Sequence, residues 1–431
     1  MNTVSELSAK LSCGEFDSTL GLFYPRAELS QSRARYQNLF DRFKTQFGDR
    51  PVVLISAPGR TEVCGNHTDH QRGNILAAGV DLDIVCLAAP NSDNMIRIYS
   101  EGFSPDEINL AELDSSADEL GRSSSLIRGL AAWFSQQGIQ PHGFDACTTS
   151  DVLSGSGLSS SAAFEVCVGA VMNLLWDANK SLVDIAIAGQ YAENVYFGKP
   201  SGLMDQLVCA VGGFVQVDFA NPEKPLITPI ECDLRNHGYH LCIIDTKGNH
   251  ADLTHEYAAI PAEMSKVSEY FGKEHLSEVS ELDFHRSIVS LRIVAGDRAV
   301  LRAMHFFGET ARVGLVAKAL CDGDIEAFLA EITRSGRSSS ARLQNILACS
   351  DPDNQGLGLA LALSEDLLDG RGAWRVHGGG FAGTIQAFVP TDLLDEYSTV
   401  MNSVFGENAC NIISIRPVGV AEILPEGIVK A

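Results

Sequence analysis

The chain has 431 residues, 45% hydrophobic and 20% charged, a size that favours two lobes over one core. Its 32 Lys and Arg stand against 55 Asp and Glu, and the formal charge of −23 argues against nucleic acid as a partner. The opening MNTVSELSAKLSCGEFDS lacks a basic region before an apolar run, and no uncharged apolar stretch approaches the roughly 20 residues of a membrane span. A cytoplasmic protein without membrane contact is expected. The 11 cysteines are odd in number and scattered without C-x-x-C spacing, so Cys86, Cys167, Cys209 and Cys242, in apolar segments, read as reduced buried thiols.

In chain order, residues 1–34 are polar and of mixed charge, an N-terminal extension with no assigned role. RARYQNLFDRFKTQFGD (33–49) repeats its apolar residues at three and four, which predicts an amphipathic helix. PVVLISAPGR (51–60), DLDIVCLAAP (81–90) and NMIRIYS (94–100) read as strands, and SLIRGLAAWFSQQG (125–138) as a helix stopped by glycine. HGFDACTTSDVL (142–153) is a strand leading into SGSGLSSSAAFEV, helical from about Ser160. Beyond residue 215 the pattern begins again. YHLCIIDT (239–246) is a strand, 251–270 and 285–335 are mostly helical, and GAWRVHGGGFAGTIQAFVP (372–390) is a glycine turn running into a strand. No linker or repeat interrupts the chain, so two closely packed α+β lobes are expected, 35–215 and 216–431.

Four clusters carry chemistry. In SGSGLSSSAA (154–163) glycines permit close approach to an anion, and the free amides of the following helix attract phosphate. A capped serine-rich loop is the plainer reading. The Walker motif is absent, and Ser160 stands where a Rossmann fingerprint needs its third glycine. HGGGFAG (377–383) is a hydrolase oxyanion loop, a tight turn or a wall over nucleotide phosphates; the hydrolase reading lacks a G-x-S-x-G elbow. Glu193 and Asp205 in AENVYFGKPSGLMDQ (192–206) are a Mg²⁺ ligand and a base, or simply capping and ion-paired acids. In GNHTDH (65–70) the histidines stand three apart on a glycine-bounded segment, whereas zinc hydrolases place them four apart on a helix, so hydrogen bonding to sugar hydroxyls suits the loop better.

Taken together and in order, these motifs resemble the galactokinases of the GHMP small-molecule kinase superfamily. APGRTEVCGNHTDHQRGNILAA is similar to the galactokinase signature, GSGLSSSAAFEV to the superfamily's phosphate loop, AENVYFGKPSGLMDQ to its Ala-Glu…Met-Asp-Gln block, and RVHGGGFAGTIQAFVP to its C-terminal glycine motif. NHADLTHEY resembles the family's Arg-His…Tyr segment. The resemblance spans about residues 35–431.

It implies a ribosomal-protein-S5-like N-terminal lobe and a ferredoxin-like C-terminal lobe, with ATP and a sugar meeting between them. Gly155, Ser156, Gly157, Leu158, Ser159, Ser160 and Ser161 would cradle the ATP phosphates, with Gly378, Gly379 and Gly380 closing on the nucleotide side. Ser161 and Glu193 would ligate Mg²⁺, a sparse oxygen set that suits this ion. Asp205 would take the proton of the anomeric hydroxyl, and Arg60 would keep Asp205 ionised and neutralise developing charge. Asn66, His67, Asp69 and Tyr257 would line the sugar pocket. The implied partners are a sugar and ATP, and the implied state is a monomer or weak homo-oligomer.

The signature departs from the pattern in places. Glu62 occupies the family's Asn position, Asn66 its Glu and His70 its Tyr; Leu153 replaces proline, and Asn249 stands where arginine precedes His250. The family's glutamate at residue 66 bonds the sugar's C6 hydroxyl, and a neutral amide there tolerates a carboxylate. Galactose is the expected substrate, with galacturonate the alternative and a catalytically weak sugar sensor a further one.

Overall fold

The computed structural model describes residues 1–152, 157–221, 224–248, 253–348, 351–425 and 427–430. Its strands, in chain order, are β1 (Asn2–Thr3), β2 (Pro51–Cys64), β3 (Asn74–Pro90), β4 (Met95–Ser100), β5 (Asp106–Asn109), β6 (Phe144–Ser150), β7 (Phe214–Asp218) and β8 (Leu226–Ile230). There follow β9 (Tyr239–Asp245), β10 (Ala373–His377), β11 (Thr384–Pro390), β12 (Cys410–Ile413), β13 (Ala421–Leu424) and β14 (Gly427–Lys430). The larger sheet runs β14-β13-β2-β3-β6-β4-β5, with β1 on β2 and the β7–β8 pair on β3. The smaller runs β10-β11-β9-β12, antiparallel throughout.

The long β2–β3 pair organises the first lobe. Because side chains alternate across a strand, Val53 and Ile55 of β2 face one core with Ile84 and Cys86 of β3, while Val52 and Leu54 face another with Val85 and Leu87. A sheet apolar on both faces needs cover on both. The helices Ser123–Gln136, Ser160–Leu175, Leu182–Tyr191 and Met204–Val211 cover the first face. The helices Val4–Ser12, Asp17–Phe23 and Leu29–Phe47 cover the second through Leu7, Phe16, Leu20, Phe23, Phe40 and Phe43.

Residues 1–34 are therefore a structural layer, started by a reciprocal cap between Thr3 and Glu6. The larger sheet also takes β7, which straddles residue 215, and from beyond it β8 and the returning β13–β14. Both lobes share one core: Leu241, Ile243 and Phe388 of the smaller sheet belong to the same cluster as Val53 and Ile55.

Two irregularities matter for the site. The β2–β3 register shifts between Pro58 and Arg60 and again between Glu62 and Cys64, and such bulges re-aim side chains. The glycine turn 378–383 closes the β10–β11 hairpin, linking strand to strand. Among the described residues the cysteines are free, with Cys86, Cys167, Cys209 and Cys242 buried, and no helix is long and apolar enough to cross a membrane.

Candidate active site

Arg60, at the first bulge of β2, faces Asp205 in the first turn of the helix Met204–Val211. Its Nε donates to Oδ1 and its Nη2 to Oδ2, each at 2.8 Å. Ser159 Oγ donates to Oδ2 at 2.5 Å, and Arg60 Nη1 donates to the Gly157 carbonyl. Burial pushes the Asp205 carboxyl up, but the Arg60 charge and the hydrogen bonds from Arg60 and Ser159 outweigh it and leave the group below its ordinary value.

The loop is also tied to β2 through its backbone. Arg60 N donates to Leu158 O at 3.0 Å, and a Cβ on Gly59 would lie 2.8 Å from that carbonyl, so the approach requires glycine. Ser159, in the left-handed region at φ 56°, turns the chain into the helix Ser160–Leu175. Gly155 and Ser156 lie outside the described residues.

In the first turn of that helix, Ser161 Oγ donates to Glu193 Oε1 at 3.4 Å. Glu193 sits on a π-helical turn, Ala192–Phe197, its side chain 3% exposed. Lys199 Nζ lies 2.6 Å from the same Oε1, while Ser201 Oγ at 2.6 Å and Gln206 Nε2 at 2.9 Å bond Oε2. Two hard oxygen donors, with an ammonium already drawn to one of them, fit a small divalent cation. Behind Glu193, Gln206 Nε2 also donates to Glu165 Oε2 at 2.9 Å. Burial and the Glu193 charge push the Glu165 carboxyl well up.

The third group gathers around the glycine turn. Asn66 donates to Gly378 O at 2.8 Å, His67 Nε2 lies 3.0 Å from Gly379 O, and Tyr257 OH donates to Gly380 O at 2.8 Å. The three glycines, expected to close on the nucleotide side, have their carbonyls held by residues expected to bind the sugar. The link to the phosphate loop is made by His377, whose Nδ1 would lie 3.0 Å from a Cβ on Gly157 and whose Nε2 lies 3.0 Å from Thr61 Oγ1. Burial drives the His377 pKa down to about 3.

Asn66 differs from the other expected sugar residues. It is 1% exposed, and its amide also donates to Glu62 Oε1 at 3.1 Å and accepts from Asn345 at 2.9 Å. Glu62 in turn receives Arg375 Nη2 at 2.9 Å. The amide is thus committed within the protein. Asp69 stays half-buried and lies against the 192–206 segment: a Cβ on Gly202 would be 2.5 Å from its Oδ2. Burial pushes its carboxyl up, opposed by His67 and reinforced by Glu62 and Asp205.

Comparison with known proteins places these motifs. Residues 41–90 match the family described as "Galactokinase galactose-binding signature", and residues 125–213 match "GHMP kinases N terminal domain". Galactokinase of Actinobacillus pleuropneumoniae serotype 3 is 27% identical over 362 residues, covering 84% of this chain and 91% of that one. Galactokinase of Streptomyces coelicolor is 28% identical over 367 residues, covering 85% and 92%. The chain carries the GHMP kinase N-terminal domain and, ahead of it, the galactokinase signature. The fold agrees. Lactococcus lactis galactokinase, solved with galactose, superposes with a TM-score of 0.76 at 24% identity over 88% of this chain and 97% of that one. Methanococcus jannaschii mevalonate kinase gives 0.60 at 14% identity over 85% and 98%.

Two further features rest largely on residues outside the motifs. The helix Asp297–Asp322 places His305 and Glu309 one turn apart beneath the 64–70 loop. Glu309 Oε1 accepts Gly65 N at 3.2 Å and the Cys64 thiol at 3.3 Å, and His305 Nε2 lies 2.9 Å from Asn66 O. Against the cost of burial, His305, Arg375 and Arg312 hold the Glu309 carboxyl down at about 2. The second feature is a cavity of about 1070 Å³ beside the helix Ser160–Leu175, lined by Phe103, Pro105, Arg122, Leu126 and Phe197 and reaching Ser160 and Ser161. Phe197, Ser160 and Ser161 belong to the motifs already described, whereas Phe103, Pro105, Arg122 and Leu126 come from segments whose only sequence signal is ordinary helix or loop composition.

Proposed function

We propose that this GHMP kinase is a galactokinase-type sugar 1-kinase that transfers the γ-phosphoryl group of ATP to the anomeric hydroxyl of galactose, giving galactose 1-phosphate and ADP. The observation that carries the reading is the doubly bonded Arg60–Asp205 pair facing the phosphate loop at Gly157 and Ser159. The cavity beside Ser160 and Ser161 takes the nucleoside, its apolar side chains stacking the base, and the loop from Gly155 to Ser161 receives the phosphates.

Asp205, held ionised, accepts the proton of the anomeric hydroxyl as that oxygen attacks phosphorus. Transfer through a loose transition state asks mainly for positioning and charge, so a weak base suffices. Arg60 orients the carboxylate and places a fixed positive charge beside the reacting oxygens. Ser161 and Glu193 would hold Mg²⁺, which when bound would neutralise phosphate charge. His67, Asp69 and Tyr257 line the sugar pocket, Asn66 backs it, and Gly378 to Gly380 join that pocket to the phosphate loop through His377. The enzyme works in the cytoplasm on small molecules, as a monomer or weak homo-oligomer.

The test is ADP release from Mg-ATP against galactose, galacturonate, glucose, talose, arabinose, fucose and N-acetylgalactosamine. Turnover of galactose, abolished in Asp205→Asn, supports the reading. Equal or faster turnover of galacturonate moves the substrate, and binding of ATP and sugar without turnover overturns the kinase in favour of a sensor.

A further inference from the structure

Glu193 is gripped unevenly. Its Oε2 takes hydrogen bonds from Ser201 Oγ at 2.6 Å and the buried Gln206 Nε2 at 2.9 Å, while its Oε1 takes a long one from Ser161 Oγ at 3.4 Å and the half-exposed Lys199 ammonium at 2.6 Å. The two neutral donors on Oε2 set the direction in which Oε1 faces. Gln206 is fully buried and follows Asp205 in the same helical turn.

The orientation of the Gln206 amide is itself determined. Its Nε2 lies 2.9 Å from an oxygen of Glu165 and 2.9 Å from an oxygen of Glu193, so the NH₂ must face the two acids, each proton directed to one. Glu165 lies one turn after Ser161 on the same helix, wholly buried, and shares the Gln206 Nε2 with Glu193. A Cβ on Gly189 would stand 3.0 Å from Gln206 Cγ and 3.2 Å from Glu165 Cβ, so the pair is closely walled.

We propose that Gln206 is a positioning residue for the cation ligand: oriented by Glu165, it pins Oε2 of Glu193 so that Oε1 faces Ser161, and through its neighbour Asp205 it fixes the cation ligand relative to the base. Losing a partner that orients a metal ligand typically costs about 10–100-fold in metal affinity. This deepens the reading of Ser161 and Glu193 as a Mg²⁺ site and rests on it.

The test is titration of the full-length protein with Mn²⁺ in the presence of ADP, followed by electron paramagnetic resonance of free Mn²⁺. Gln206→Met, which keeps the shape and removes both donors, is expected to weaken Mn²⁺ binding at least about ten-fold. Glu165→Leu weakens it in the same direction, and Glu165→Gln, which preserves an acceptor for Gln206, restores it. A purely structural role would lower stability without separating the two Glu165 variants. Wild-type Mn²⁺ affinity in Gln206→Met overturns the proposal; if that variant does not fold, wild-type affinity in Glu165→Leu does so. Glu193→Gln is the control on the underlying reading: if it binds Mn²⁺ like wild type, the cation site itself is wrongly placed.

Discussion

The Arg60 guanidinium meets both oxygens of Asp205, each at 2.8 Å, and at the same time holds the Gly157 carbonyl. One side chain thereby sets the charge of the base and its distance from the phosphate loop. Arg60→Met removes a main cause that lowers the Asp205 pKa and leaves the burial that raises it. The acid limb of the pH profile of kcat/KM therefore moves to higher pH, and kcat falls by about 10² or more. An unmoved acid limb would show that Asp205 is not the titrating base.

The commitment of Asn66 gives a second prediction. Asn66→Asp sets an oxygen where Nδ2 now lies 3.1 Å from Glu62 Oε1 and 2.8 Å from Gly378 O. Two donated hydrogen bonds become repulsions in a buried setting, and the expected loss is about 3 kcal/mol of stability in urea unfolding. The sugar KM rises while the ATP KM holds. A variant as stable as wild type would mean that the amide is free to leave its protein partners.

The glycine turn supplies a third. A Cβ on Gly379 would lie 2.6 Å from Tyr257 Cε1, so Gly379→Ala pushes the ring from its bond to Gly380 O. Overpacking of this kind costs about 1–3 kcal/mol, and here it should appear as a raised sugar KM. Gly21→Ala is the matched control, since nothing lies within 4 Å of its added methyl. Equal sugar KM in the two variants would contradict the placement of Tyr257.

The buried imidazoles set a pH limit. His70 and His377 both have pKa values driven down to about 3, chiefly by burial, from an ordinary 6.5. Below pH 6.5 the unfolded chain binds protons that the folded one refuses, so stability falls as pH drops from about 6.5 toward 3. For His377 alone the loss is about 2 kcal/mol at pH 5. Comparing urea midpoints at pH 7 and 5 for wild type and His377→Gln measures it: the variant should lose less, and an identical loss would show that His377 takes no part.

What the sequence disclosed was the part of the site built from short, ordered motifs. Arg60, Ser161, Glu193 and Asp205 are brought together by the fold as their motifs imply. The rest depends on partners far apart in the chain. Asn345 and Gly378, which occupy the Asn66 amide, are 279 and 312 residues away, and no local pattern announces them. His305 and Glu309 sit on one face of a long helix, where polar residues ordinarily signal solvent. The N-terminal layer did leave a trace in the Thr3-x-x-Glu6 spacing of a capping box, obscured by polar composition.

The strand order has a consequence for how the chain is made. β2, translated early, pairs with β1 from the first residues and with β13 from the last turn of the chain. Until the ribosome releases residues 421–424, the edge of β2 has no partner there. The first lobe is therefore finished only once residues 421–424 have been made, and a nascent chain halted before them carries an open sheet edge. Such an edge recruits other strands, so a protein ending before β13 should aggregate rather than fold as a shorter kinase.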